Sequence, residues 1–268
     1  MTLKLYAAPL RAKPVDEVTT EDVLGVLRPI WQQKSETASR LRGRIERVLD
    51  AAKANGHRSG ANPAAWRGHL ALLLPQRQKL QRGHHAAMAF GEVPAFIGQL
   101  RARDAMAARA LEFVVLTAAR SGEALRATWG EVDMVAKIWT VPARRMKGGR
   151  EHRVPLSPSA MAVLKQLVEI SRDPSDFIFP STKRGQPLFS MAMDMLLRRL
   201  KLDVTVHGFR SSFRDWCGEV STYPREVAEA ALAHVVGDAT ERAYRRGDAL
   251  EKRRQLMEDW AAYCEAAR

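Results

Sequence analysis

The chain has 268 residues, 46% hydrophobic and 27% charged, which suits one or two soluble globular domains with enough chain to bury a core. No run approaches a membrane span, the start "MTLKLYAAPLRAKP" lacks the apolar core of a secretory signal, and Cys217 and Cys264 form neither a disulfide framework nor a metal-ligand spacing; a reducing, cytoplasmic setting fits best. Lysine plus arginine outnumber aspartate plus glutamate by 43 to 30, and this net +13 favours a polyanion partner, most commonly nucleic acid.

The excess is uneven: residues 1–82 carry 15 basic and 7 acidic side chains, residues 83–268 carry 28 and 23. In chain order, "VTTEDVLGVLRPIWQQ" opens a helix capped by Thr19 or Thr20, with Glu21 and Asp22 at the positive end of its dipole. "SETASRLRGRIERVLDAAKANG" predicts a second helix, capped by Ser35 and ended by Gly56. Its apolar stripe is Ala38, Leu41, Ile45, Val48, Leu49 and Ala52, and Arg40, Arg44 and Arg47 lie off it, on a face that can meet phosphates. "NPAAWRGHLALLL" gives a short helix after Pro63 and completes a helical domain, 1–82. "QRGHHAAMAFGEVP" supplies a linker, 83–91; adjacent His84 and His85 point different ways on either kind of element and are not read as metal ligands.

The second domain, 92–268, opens with "DAMAARALEFVVLTAA", apolar on most sides and read as a buried helix. "KIWTVPARRMKGGREHRVPLS" predicts a β-hairpin, with Trp139 and Val141 alternating on one strand, Val154 and Leu156 on the other, and Gly148-Gly149 in a tight turn. Ser157-Pro158 caps and starts a helix. Helical patterns continue over "SMAMDMLLRRL", "HGFRSSFRDWCGEV", "PREVAEAALAH" and "ALEKRRQLMEDWAAYCEAA". The fold class is mainly α with a small antiparallel β-sheet. In the tail helix, Leu256, Met257, Trp260 and Ala261 pack either at home or on a neighbour.

Five stretches can carry chemistry. Arg120 follows an apolar run and needs an anionic partner; Glu123 can orient it if Ser121 starts a helix, either as a structural ion pair or as part of a site. His207 and Arg210, at i and i+3, share a helix face, with Arg214 continuing the row and Phe209, Phe213 and Trp216 marking an apolar face. An imidazole beside a guanidinium suits a phosphate. Lys147 sits at the hairpin tip, either solvated or delivered as an acid into a DNA-lined site. His234 precedes Tyr244 by ten residues. A phenol, with a pKa of about 10, attacks only with cations or a base nearby.

In order and in local context, Arg120 in "AARSGEAL", Lys147 in the hairpin, His207 and Arg210 in "HGFR", His234 in "LAHV" and Tyr244 in "ERAYRR" resemble the catalytic set of the tyrosine recombinases, or phage integrases. The texture is closest to integrases of prophages and genomic islands. The resemblance implies a two-domain architecture, a helical core-binding domain and a mixed α+β catalytic domain. It implies site-specific cleavage and rejoining of duplex DNA through a 3′-phosphotyrosine, integrating or excising a mobile element. In that scheme Tyr244 attacks, Arg120 and Arg210 clamp the phosphate, Lys147 protonates the leaving oxygen, His207 moves the tyrosine proton, His234 binds the phosphate and Glu123 orients. Arg144, Arg145 and Arg150 around the hairpin join Arg40, Arg44 and Arg47 as DNA contacts.

No cofactor and no metal is implied. The partners implied are double-stranded DNA with attachment core sites, further copies of the chain assembling to a tetramer in synapsis, and a DNA-bending accessory protein. No membrane is implied; the setting is the bacterial cytoplasm, on the nucleoid when active. The start lies inside the family's first core-binding helix, so the N-terminal arm-binding domain is expected to be absent. The alternatives are a truncated DNA-binding remnant without strand exchange and a relaxing activity like that of type IB topoisomerases.

Overall fold

The computed structural model describes residues 2–76, 86–168, 173–234 and 248–266. Tyr244, His84 and His85 lie outside the described residues. The chain divides into two compact units, Met1–Arg82 and Gly83–Arg268.

The first unit is helical: α1 (Thr2–Tyr6), α2 (Ala8–Arg11), α3 (Thr20–Trp31), α4 (Ser35–Ala54) and α5 (Ala71–Leu73). Thr19 caps α3 in a reciprocal capping box: its hydroxyl accepts from the Asp22 backbone, and the Asp22 carboxylate accepts from the Thr19 backbone at 2.9 Å. Ser35 is not the cap of α4. Only Gln32–Lys34 separate α3 from α4, so the cap position falls on Lys34 and Ser35 is already in the first turn, buried. Ala38, Leu41, Ile45 and Leu49 are buried as the stripe requires, but Val48 is 54% exposed. Consecutive helical residues point about 100° apart, and the core takes the Leu49 side. The helix expected after Pro63 is broken: Arg67 is extended (ψ 132°) and Gly68 is left-handed (φ 68°). Asn62 ties this turn to α4 instead, donating to the Glu46 carbonyl at 2.9 Å. Trp31 closes the core, its Nε1 donating to the Pro75 carbonyl at 2.8 Å.

The second unit comprises α6 (Val93–Arg101), α7 (Met106–Thr117), α8 (Ser121–Leu125), β1 (Val132–Asp133), β2 (Ile138–Val141), β3 (His152–Pro155), α9 (Pro158–Leu167), α10 (Ala192–Arg199), α11 (Gly208–Glu219), α12 (Arg225–Ala231) and α13 (Leu250–Glu265). The central α7 packs against α6, α8, α9, α10, α11 and α13. The sheet is antiparallel in the order β1-β2-β3, with Trp139 opposite Val154. Trp139, Val141, Val154 and Leu156 are buried as the alternation predicts. The sequence reading missed β1, whose two residues are too few for a periodicity. The connection from β2 to β3 is not a tight turn. A helical turn at Ala143–Arg145 lengthens it, and of the two glycines only Gly149 has a positive φ, 63°. Ser157 caps α9, accepting from Ala160 N at 3.3 Å, with Pro158 in the first turn.

The described part of the expected linker packs into this unit. Thr205 N donates to the Ala86 carbonyl at 2.9 Å, Ser212 donates to the Met88 carbonyl, and Met88 is buried. This approach needs Gly208, where a Cβ would stand 2.3 Å from the Ala86 oxygen. The tail helix packs at home. Leu256, Met257, Trp260 and Ala261 are buried in the core of the second unit, and Trp260 Nε1 donates to the Val115 carbonyl at 2.9 Å. Cys217 and Cys264 are free and buried. No described helix is long and apolar enough to cross a membrane.

Candidate active site

Three chain breaks in regular structure build the site. The first is the end of α7. Ala118 adopts the left-handed conformation (φ 49°), ending the helix, and Arg120 becomes the extended N-cap of α8. Glu123, in the first turn of α8, is buried and accepts twice from Arg120: from Nη1 at 2.7 Å and from the backbone N–H at 3.1 Å. The ion pair expected from the sequence therefore exists, with Arg120 keeping a quarter of its side chain exposed.

The second is the start of α11. His207 is its N-cap and is exposed, while Arg210, one turn on, is only 5% exposed. The two share a helix end but not an environment. Arg210 Nη1 donates to the Ala118 carbonyl, and Nη2 donates to the Leu232 carbonyl at 2.6 Å. Burial, with the like charge of Arg120 second, lowers the Arg210 pKa to about 10. Phe209, Phe213 and Trp216 fill the core behind it, and Arg214 leaves the row to pair with Glu229 at 2.7 Å.

The third is the end of α12. Ala233 is left-handed (φ 50°), its N–H returns to the Ala230 carbonyl at 3.0 Å, and the His234 N–H returns to the Glu229 carbonyl at 2.9 Å. This pair of bonds is the Schellman closure, with Ala233 in the place glycine usually takes. It leaves the Leu232 carbonyl open to Arg210 and, at 3.4 Å, to Arg120 Nη2. His234 Nε2 lies 3.3 Å from Arg210 Nη2, and its Nδ1 lies 2.6 Å from a Glu229 carboxylate oxygen. Arg120, Arg210 and His234, far apart in sequence, thus meet around one helix end.

Beside them opens a cleft of about 820 Å³, lined by Arg120, Lys147, His207, Arg126 and Arg144 among others. Lys147 and His207 therefore line the same cleft as Arg120, and both are exposed. Arg144 and Arg150 are exposed. Arg145 is not: Glu131 takes its Nη2, and its Nη1 donates to the Glu123 carbonyl at 2.8 Å. It braces α8 and also lines the cleft. In the first unit Arg40 and Arg47 are exposed and Arg44 half-buried; Arg40 pairs with Glu36 one turn back.

The sequence reading missed His152 and Glu229. Burial, then the Arg253 charge, pushes the His152 pKa down to about 4 beside the site's Glu123 and Arg120. Glu229 is a carboxylate inside the apolar run "VAEAALAHV", and that misplacement was its only sequence signal. Among the described residues no group of three or more His, Cys, Asp or Glu side chains is placed to hold a metal ion.

The fold is that of λ integrase. A λ integrase tetramer bound to a Holliday junction aligns with a TM-score of 0.62 at 19% identity, over 89% of this chain and 71% of that one. A λ integrase (75–356) dimer bound to a core site gives 0.60 at 21%, over 88% of each chain. Residues 87–251 match the description "Phage integrase family", and residues 1–69 match "Phage integrase central domain". The chain belongs to the phage integrases, the tyrosine recombinase family. It is 34% identical over 259 residues to the prophage integrase IntA of Escherichia coli K12, covering 94% of this chain and 60% of that protein. It is 28% identical to the integrase of Enterobacteria phage P4, covering 99% of this chain and 64% of the relative. The chain spans about three-fifths of the length of these curated relatives.

Proposed function

We propose that this chain carries the core-binding and catalytic parts of a site-specific DNA recombinase, a prophage-type integrase that cuts and rejoins duplex DNA without a metal. The observation that carries the reading is the meeting of Arg120, Arg210 and His234 around the Leu232 carbonyl, beside a cleft that also presents Lys147 and His207.

A scissile phosphodiester in that cleft is held by Arg120 and Arg210, whose guanidinium forks suit its two non-bridging oxygens. The charge that builds on those oxygens during attack is met by groups already in place. Tyr244 supplies the nucleophile. Its oxygen bonds to phosphorus as the P–O5′ bond breaks, leaving a 3′-phosphotyrosine. Its proton leaves by His207, and Lys147 delivers a proton to the departing 5′-oxygen. His234 hydrogen-bonds the phosphate, and Glu123 keeps Arg120 aimed. A 5′-hydroxyl from a partner duplex reverses the step, because the bond's free energy is kept in the phosphotyrosine.

Residues 1–82 act as the core-binding domain, with Arg40, Arg44 and Arg47 meeting phosphates, while Arg144 and Arg150 add contacts from residues 92–268. Affinity then comes mainly from phosphates and falls with salt. Integration or excision, tetrameric synapsis, a bending partner and action on the bacterial nucleoid follow from the same reading. Suicide or nicked core-site DNA tests it. The protein should trap covalently, and Tyr244→Phe should abolish the adduct. No adduct on any core site, or an adduct unchanged in the variant, refutes the proposal.

A further inference from the structure

The Schellman closure that ends α12 usually joins its third-from-last residue and the residue after the left-handed position by an apolar contact. Here those positions are Glu229 and His234, and the contact is a hydrogen bond of 2.6 Å. Glu229 is only 7% exposed. A carboxylate in that place is costly unless its lone pairs are used. They are used: Arg214 from α11 donates to Oε1 at 2.7 Å, Arg225 on α12 approaches the same oxygen at 3.7 Å, and His234 takes Oε2. Burial opposes ionisation of Glu229, but the bonds from His234 and Arg214 outweigh it and hold the carboxyl below its usual range.

An ionised carboxylate at that distance fixes where the imidazole carries its proton. A bare Nδ1 would set lone pair against lone pair, so Nδ1 holds the hydrogen. The neutral ring then presents a bare Nε2, which accepts from Arg210 Nη2 at 3.3 Å. When an anion draws the Arg210 donor away, Nε2 can reach that anion only by taking a proton. The ring is then a cation with Glu229 as its counter-charge. The same carboxylate thus orients the neutral ring and stabilises the charged one.

We infer that Glu229 is a positioning residue for His234: it locks the imidazole as the Nδ1–H tautomer, aims Nε2 at the Arg210 guanidinium and compensates the ring's charge when a phosphate enters. The inference rests on the reading of His234 as a phosphate ligand. Its geometric half does not need DNA and is tested separately.

Long-range ¹H–¹⁵N spectra of the full chain, labelled with ¹⁵N-histidine and free of DNA, report the tautomer at a pH where the ring is neutral. Wild type should show His234 protonated on Nδ1. Glu229→Ala should move the proton to Nε2, the tautomer usual in water. Arg214→Gln, which removes the neighbouring ion pair but leaves the carboxylate, should keep it on Nδ1. An Nδ1 proton that persists in Glu229→Ala overturns the inference. Cleavage of suicide DNA tests the charge. Glu229→Gln, nearly isosteric and checked for folding by its melt, should slow the cleavage step roughly tenfold or more, the scale on which removing a carboxylate behind a metal-bound histidine acts. Arg214→Gln should cleave faster than Glu229→Gln. Equal slowing in the two variants marks a merely structural ion pair and overturns the inference. Should wild type cleave no DNA at all, the recombinase reading fails while the spectra still decide whether Glu229 sets the tautomer.

Discussion

Replacing Glu123 by glutamine tests how the site tolerates its own positive charge. Glu123 is buried and receives two hydrogen bonds from Arg120, and Arg210 lies close enough for the two guanidinium charges to repel. Breaking a buried ion pair by removing one partner costs about 3–5 kcal/mol, because the other charge is left uncompensated. Arg120 keeps a quarter of its side chain in solvent, so screening reduces this to about 2–3 kcal/mol. For a unit of this size that is a fall in Tm of roughly 4–12 °C. Urea unfolding and thermal melts at low salt measure it. Two further outcomes are tied to the same physics. Adding NaCl should shrink the loss. The double variant Arg120→Gln/Glu123→Gln should lose less than the sum of its singles, since removing the cation removes the uncompensated charge. A Glu123→Gln protein within about 0.5 kcal/mol of wild type, the scatter of ordinary surface substitutions, refutes the idea that this carboxylate balances the cluster.

Ala233→Gly should stabilise the protein by about 0.5–1 kcal/mol, the relief of a left-handed alanine less the entropy glycine loses on folding, read from the urea midpoint. Trp260→Ala should cost about 3–5 kcal/mol, and the loss should not change with protein concentration, because the ring packs in its own core; a concentration-dependent loss means exchange between chains. His152 takes up its proton in the unfolded chain near the usual 6.5 but in the folded chain only near 4, so stability falls as pH drops through that window; His152→Gln should flatten the fall, measured by melts from pH 7 to 4. Sulfate at fixed ionic strength should raise the wild-type Tm, and Arg210→Gln should abolish the rise.

Local signals carried much of the fold. The capping box at Thr19, the Ser157-Pro158 start, the buried run of α7 and the alternation in β2 and β3 are each written within a few residues. The choices that failed depend on partners distant in sequence. Periodicity places Val48 and Leu49 at the same edge of a stripe, and only the packing of α4 decides which is covered. An arginine in "ARRMKGGR" reads as exposed, yet Glu131 from before β2 captures Arg145. The candidate site divides the same way. That Arg120 would meet Glu123 follows from their spacing, given a helix start at Ser121. That Arg210 would be buried on two carbonyls, while His207 three residues earlier stays in solvent, depends on the left-handed Ala118 and Ala233, which no glycine announces.

Those two left-handed alanines also explain why the site stays positive. A carboxylate satisfies a guanidinium's hydrogen bonds and cancels its charge together, as Glu123 does for Arg120. A main-chain carbonyl does only the first. Arg210 bonds to the Ala118 and Leu232 carbonyls, at the ends of α7 and α12, and among the described residues it has no carboxylate of its own. The partial negative charge at a helix C-terminus, about half a unit, favours a cation there without neutralising it. Glu229, whose charge also acts on Arg210, is held by Arg214 and His234. Burial, with the like charge of Arg120 second, therefore lowers the Arg210 pKa even though Glu123 and Glu229 act in the opposite direction. A neutral ligand cannot relieve that state, whereas an anion can exchange with the weaker of its two Nη2 contacts, the one to His234 at 3.3 Å, and supply the missing charge.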